Sequence, residues 1–143
     1  MAENLSAFLA QNARKVENEK CVASQRFIGE DGKAVEWEIC CITAGENEKL
    51  RKSCMRQVLV SGGRKGQTTT SFDAGHYQAL ISARCTVFPN LNSAELQDSY
   101  GVKSAEELIT TMLTSGEFED FSARVLEVNG FQNTEELVDE AKN

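Results

Sequence analysis

The sequence predicts an α+β fold that is mostly α, with an N-terminal β-hairpin packed on a bundle of short helices. Within residues 20–42, Val35, Trp37, Ile39 and Cys41 alternate with Glu36, Glu38 and Cys40, the period-two pattern of a half-buried strand. From Asp73 onward, apolar residues recur instead at the three- and four-residue spacing of helices. The stretch from Pro89 to Phe131 is punctuated by Gly101, Gly116 and Gly130, which cut it into three short helices.

A single domain over residues 1–143 is the expected organisation. The length is enough to bury one core, and the lone proline, Pro89, argues against a long disordered linker. Residues 3–14 read as a short amphipathic helix with Leu5, Phe8 and Leu9 on one side, a terminal helix covering the core. The sharper reading is a detachable helix that docks on a partner, but so short a helix is marginal alone.

The hairpin turns at Gly29-Glu30-Asp31-Gly32-Lys33. A two-residue turn at Asp31-Gly32 would pair Arg26 with Trp37 and Ile28 with Val35. A three-residue turn with Gly32 left-handed pairs Phe27 with Val35, Gln25 with Trp37 and Ala23 with Ile39. The second register is preferred, because it gathers Ala23, Phe27, Val35, Trp37 and Ile39 on one face, and a one-residue slip would divide them. It also sets Cys21 opposite Cys41.

A helix is expected over 44–59, with Thr43 and Glu46 as capping box and Leu50, Cys54, Met55 and Val58 as its apolar stripe. Residues 60–71, including the polar SGGRKGQTTTS, read as a mobile surface loop. The run lacks the GxxxxGK[ST] pattern that a phosphate cradle requires. The next helix runs from an Asp73 N-cap to Thr86, with Tyr77, Leu80, Ile81 and Cys85 inward, and Pro89 stops it.

Three helices follow. The first takes Asn92 and Glu95 as its cap pair and ends near Tyr100-Gly101. The second takes Ser104 and Glu107 as capping box, with Leu108, Met112 and Leu113 inward and Gly116 beyond it. The third carries Phe118, Phe121, Val125 and Val128 on one face and ends in a left-handed cap at Asn129-Gly130. A final short helix begins at Asn133 or Thr134 and holds Leu137, Val138 and Ala141.

Charge is unevenly spread over a net of −7. Residues 1–71 hold 11 Lys/Arg and 9 Asp/Glu, whereas residues 72–143 hold 4 and 13. So acidic a half repels a phosphate backbone, which favours protein partners over nucleic acid. A helix-turn-helix reading of residues 93–113 meets the same objection, because its recognition helix would begin with Glu106 and Glu107. Between Lys49 and Lys65 lie six basic residues and no acidic one: a solvated face, or a cationic patch facing an acidic partner.

No window approaches the ~20 apolar residues of a membrane span, and the N-terminus MAENLSAF has no signal-peptide character. Five cysteines, an odd number without CxxC, point to a reducing cytoplasm and free thiols. His76 is the only histidine, and nothing in the pattern sets it beside a nucleophile. Adjacent Cys40 and Cys41 on a strand point to opposite faces, a poor start for a zinc site. Catalytic, metal and cofactor roles are therefore not expected. Read from residues alone, the chain is a small acidic helical module that binds something; a small acidic cytoplasmic adaptor or helix-turn-helix-like regulator is the alternative to the reading that follows.

The order of LSAFLAQN, RFIGEDGKAVEWEI, ENEKLRKSC, VFPNLNSAELQDSYGV, AEELITTML, GEF and the closing VNGF with EELVDEAKN resembles the XkdN-like phage tail assembly chaperones of contractile-tailed phages and prophages. The likeness spans nearly the whole chain, and its most specific part is FPNLN-AELQDSYGV with the blocks that follow. The resemblance implies a non-enzymatic protein of the host bacterial cytoplasm, absent from the mature virion. It implies binding to the tape measure protein, and help to tail tube protein subunits as they polymerise around it. No membrane, metal or nucleotide is implied.

Pro89, Leu91, Leu96, Tyr100 and Gly101 match the family's central motif. Pro89 is expected to end a helix, Gly101 to permit a left-handed turn, and Leu96 and Tyr100 to pack. The expected partner surface is a groove among the helices of residues 93–128, with Leu96, Tyr100, Leu108 and Met112 offered where those helices separate. Arg51, Lys52 and Arg56 would steer acidic segments toward it.

Overall fold

The computed structural model describes residues 5–131. The closing helix expected after Asn133 lies outside them. Strands β1 (Glu19–Cys21), β2 (Trp37–Ile39) and β5 (Thr86–Phe88) form one antiparallel sheet in the order β1-β2-β5. Helix α1 (Ala44–Ser53) leads into a ribbon of β3 (Met55–Leu59) and β4 (Thr68–Phe72). Helices α2 (Ala74–Cys85), α3 (Ala94–Tyr100), α4 (Ala105–Met112) and α5 (Ser115–Val128) complete the described chain. The expected class, α+β and mostly helical, is the class observed.

The core gathers where β2 meets α2, α4 and α5. Trp37 and Ile39 supply the sheet side; Ile81, Cys85, Leu108, Ile109, Met112, Phe121 and Val125 supply the helices. Trp37 lies edge-on to Phe121, ring centres 5.2 Å apart, and the Phe27 ring centre is 6.2 Å from it. Each such large side chain contributes about 1.5–3 kcal/mol by leaving water. Where α2 crosses α5, Ser82 and Ser122 meet in the interior, hydroxyl to hydroxyl at 3.0 Å.

Helix ends obey local chemistry. Thr43, Asp73, Ser93, Ser104 and Thr114 each accept the amide three residues on, satisfying a donor the helix cannot. Gly101 and Gly130 are left-handed, and the amide beyond each reaches back five residues, from Val102 to the Gln97 carbonyl and from Phe131 to the Leu126 carbonyl.

Several expectations are corrected. The helix expected over 3–14 is, from Leu5 on, a 3₁₀ turn at Leu5–Phe8 with Leu5, Phe8 and Leu9 exposed; without packing, so short a segment does not hold α-helical hydrogen bonds. The hairpin keeps its expected register only at the tip. There Ile28 faces Ala34, the Val35 amide donates to the Phe27 carbonyl, and Gly32 is left-handed.

At the base, Cys21 faces Trp37 and Glu19 faces Ile39, so neither Gln25–Trp37, Ala23–Ile39 nor Cys21–Cys41 is a pair. The segment between loops out because Ser24 turns inward and takes the Arg26 amide, while the Arg26 guanidinium is drawn to Glu117 and the Met112 carbonyl.

The helix expected over 44–59 ends at Ser53, and the following residues are β3. The expected loop over 60–71 contains most of β4, so the segment is a hairpin in which Met55 faces Phe72 and Leu59 faces Thr68. Val58, Val60 and the three threonines favour extended backbone, and each strand supplies the other's hydrogen bonds.

The first of the three late helices is capped by Ser93, not Asn92. A reciprocal capping box closes at Thr114–Glu117 rather than at Thr43–Glu46 or Ser104–Glu107; Glu46 turns instead to Arg84. Gly116 does not separate helices but sits in the first turn of α5. Nor does Pro89 end α2: that helix stops at Cys85, and β5 intervenes before the cis Phe88–Pro89 bond.

Candidate partner surface

Arg51, Lys52 and Arg56 lie in or next to the segment where α1 runs into the ribbon, whereas Arg64 and Lys65 lie in its turn. Arg51, on α1, lays its guanidinium over Phe72 at 5.0 Å and over Tyr77 at 5.8 Å, a pairing of cation and ring quadrupole that fixes its direction. Arg56, on β3, reaches Asp73 at 3.5 Å. Lys52 is exposed and makes no ion pair among the described residues. Of the three, Lys52 therefore has the freest charge; Arg51 and Arg56 also brace the ribbon.

The groove residues divide differently. Leu108 and Met112 are buried in the core, and Leu96 is half-buried against it. Tyr100 stands 36% exposed at the end of α3, so of the two residues expected to pack, Leu96 does so more completely. Helices α3 and α4 are closed on one another, and as described they present Leu96 and Tyr100 but not Leu108 or Met112.

Other large apolar side chains are more exposed than any of these. Phe8 is 82% and Leu59 75% exposed, and Val87 and Phe88 stand out on β5. A cleft of about 580 Å³ opens beside β5, lined by Leu50, Leu80, Ala83, Val87 and Ala105. Two charges on its lining are already engaged: Arg84 with Glu46 at 2.6 Å, and Glu106 with His76 at 2.9 Å. Sequence reasoning misses this cleft, since it carries the helix to Thr86 and expects no strand before Pro89; the β-branched Thr86-Val87 before Phe88-Pro89 is the signal that finds it.

Three of the five thiols are shifted away from the reactive form. Burial pushes Cys85 up to about 11, and it raises Cys21 and Cys54 above the ordinary thiol range too. Such groups stay protonated, whereas a nucleophile needs a lowered pKa or an adjacent base. His76 pairs with a carboxylate rather than a cysteine. Among the described residues no three His, Cys, Asp or Glu side chains cluster as metal ligands, and no helix is long and apolar enough to cross a membrane.

Comparison with known proteins places this architecture. The fold matches the crystal structure of the protein YqbN with a TM-score of 0.76 at 22% identity, covering 92% of this chain and all of that one. In sequence the chain is 28% identical to the uncharacterised protein YqbN of Bacillus subtilis (strain 168) over 98% of its own length and 93% of the relative's. It is 27% identical to the phage-like element PBSX protein XkdN of the same organism, over 98% and 94%. The sequence profile of the phage XkdN-like tail assembly chaperone proteins matches residues 5–142. In agreement with the resemblance read from its motifs, the chain belongs to the XkdN-like phage tail assembly chaperones.

Proposed function

We propose that this protein binds the tape measure protein of its phage, keeps that protein's long apolar helical segments soluble, and assists tail tube subunits as they assemble around it. It does so in the host cytoplasm, without catalysis or a cofactor, and is absent from the finished virion. One observation carries the reading: Phe8, Leu59, Val87 and Phe88 stand exposed on a chain of net charge −7. A holdase needs both features, apolar surface to meet an unassembled chain and net charge to keep itself from aggregating.

In this reading Arg51, Lys52 and Arg56 steer acidic stretches of the partner. Leu96 and Tyr100 form the rim of the helical groove, and Leu108 and Met112 join it only when α3 and α4 separate. Nucleic acid is not the partner, because Glu106 and Glu107 occupy the first turn that would face phosphate.

The test is co-expression with the tape measure protein, followed by a solubility assay and pull-down. Soluble, co-purifying tape measure protein is the expected result. An insoluble tape measure protein with no complex would move the function to an adaptor role within the same family.

A further inference from the structure

The β3–β4 ribbon is the least supported part of the described chain. Every residue of β3 is exposed, as are Thr68, Thr69 and Thr70 of β4. Its ring and ion-pair contacts with the body gather at the base, where Phe72 meets Tyr77 and Arg56 meets Asp73. Two strands alone are marginal in water, and a third strand or a packed face is the usual remedy.

The hydrogen-bond phase shows which backbone groups of β4 face away from β3 and are open among the described residues. The Val60 amide donates to the Gln67 carbonyl at 3.0 Å, and the Asp73 amide to the Cys54 carbonyl at 2.8 Å. In an antiparallel ladder the bonding pairs alternate, so Ser71 and Thr69 turn inward with Gln67 and Asp73. Thr68 and Thr70 turn their N–H and C=O to the outer edge. That edge, Thr68-Thr69-Thr70-Ser71-Phe72, has no charge and no proline, the devices that normally block edge pairing.

We propose that the β4 edge pairs antiparallel with the β4 edge of a second copy of this chain, joining two ribbons into a four-stranded sheet about a twofold axis at Thr70. Charge selects this occupant and this edge. The β3 edge carries Arg56, which a twofold would bring toward its own copy, whereas β4 presents threonines that pair well with each other across strands. Antiparallel pairing about Thr70 sets Gln67 opposite Asp73. It thereby carries the cationic tip, Arg64 and Lys65, toward the other copy's Asp73 and away from the other copy's tip. An acidic strand from another protein would find no cation on the β4 edge itself. Five residues a side fall short of the roughly 1,200–2,000 Å² of a stable interface, so the dimer is weak and concentration-dependent.

Sedimentation equilibrium of the full chain over a wide concentration range tests this. The wild-type mass is expected to rise from one chain toward two with concentration. Thr70→Lys and Thr70→Glu, at an exposed position, are each expected to stay monomeric with unchanged melting temperature, since each sets like charges face to face. Mixed in equal amounts they should associate at least as tightly as wild type. Thr70→Pro, which removes an amide the ribbon does not use, should also abolish the dimer. A wild type that stays monomeric throughout overturns the proposal. So does a Lys/Glu mixture that fails to associate, or single-charge variants that dimerise as wild type does.

Discussion

Arg26 donates to Glu117 at 2.9 Å, tying the looped-out segment of the N-terminal hairpin to the first turn of α5, 91 residues on. The same carboxylate accepts the Thr114 amide and so serves the helix cap as well. One residue therefore fixes both where α5 begins and where the hairpin sits. The Arg26 hydrogen bond, helped by Ser24 and the Thr114 amide, holds the Glu117 carboxyl down to about 2 from an ordinary 4.5.

A pH dependence follows. A carboxyl whose pKa is depressed on folding stabilises the fold above its unfolded value and loses that stabilisation as pH falls through the folded one. The window here runs from 4.5 down to about 2. Glu117→Gln keeps an acceptor for the cap but removes the charge. Thermal melts should show the variant less stable than wild type at neutral pH, with the gap closing through that window. A gap that stays constant on acidification would assign the residue to capping alone.

The Ser82–Ser122 contact lends itself to a double-mutant cycle. Both side chains are buried, so Ser82→Ala or Ser122→Ala alone leaves one hydroxyl without its partner, at about 1–3 kcal/mol. Removing both relieves that penalty, and the double variant should be more stable than the sum of the singles predicts. Urea unfolding measures this. Additive losses would mean that each hydroxyl instead bonds its own helix backbone.

How much was legible in the sequence depended on the range of the interaction. The caps at Asp73 and Ser104 and the left-handed glycines Gly101 and Gly130 were readable, because a cap is decided within three or four residues. The inward faces of α4 and α5 were readable from spacing alone. What failed depended on partners far along the chain. Met55–Leu59 is a strand because Thr68–Phe72 lies beside it. Thr86–Phe88 is a strand because β2 offers it an edge. The hairpin base slips because Arg26 is claimed by Glu117, which no local pattern announces. The partner surface was the least legible part: helical spacing marks Leu108 and Met112 as apolar, but not whether the face they share is open or closed.

Gly116 and Gly101 should respond in opposite directions to alanine. A Cβ at Gly116 meets nothing within 4 Å, and its backbone is not left-handed, so Gly116→Ala is expected to stabilise α5 by about 0.4–1 kcal/mol by narrowing the unfolded ensemble. Gly101 has a φ of +68°, where a side chain is strained, and Gly101→Ala should lose about 1–2 kcal/mol. Chemical denaturation midpoints of the two variants decide it. A destabilised Gly116→Ala would overturn the reading that this position is open to a side chain.

Leu108 and Lys52 separate packing from partner binding. Leu108 is fully buried between α4 and the rest of the core, and Leu108→Ala should cost about 2–5 kcal/mol through lost transfer energy and the cavity left behind. Lys52 is exposed, and Lys52→Glu should leave stability within about 0.5 kcal/mol. On the function proposed above, it should nevertheless slow capture of the tape measure protein, most strongly at low salt, because screening shortens the reach of a surface charge. Melting curves and capture rates at two ionic strengths read the two effects independently. A Leu108→Ala variant that melts like wild type yet captures nothing would make Leu108 a partner contact, and α3–α4 a groove that opens. A Lys52→Glu variant with unchanged, salt-independent capture would remove the basic face from the binding surface and leave the exposed apolar side chains to account for it.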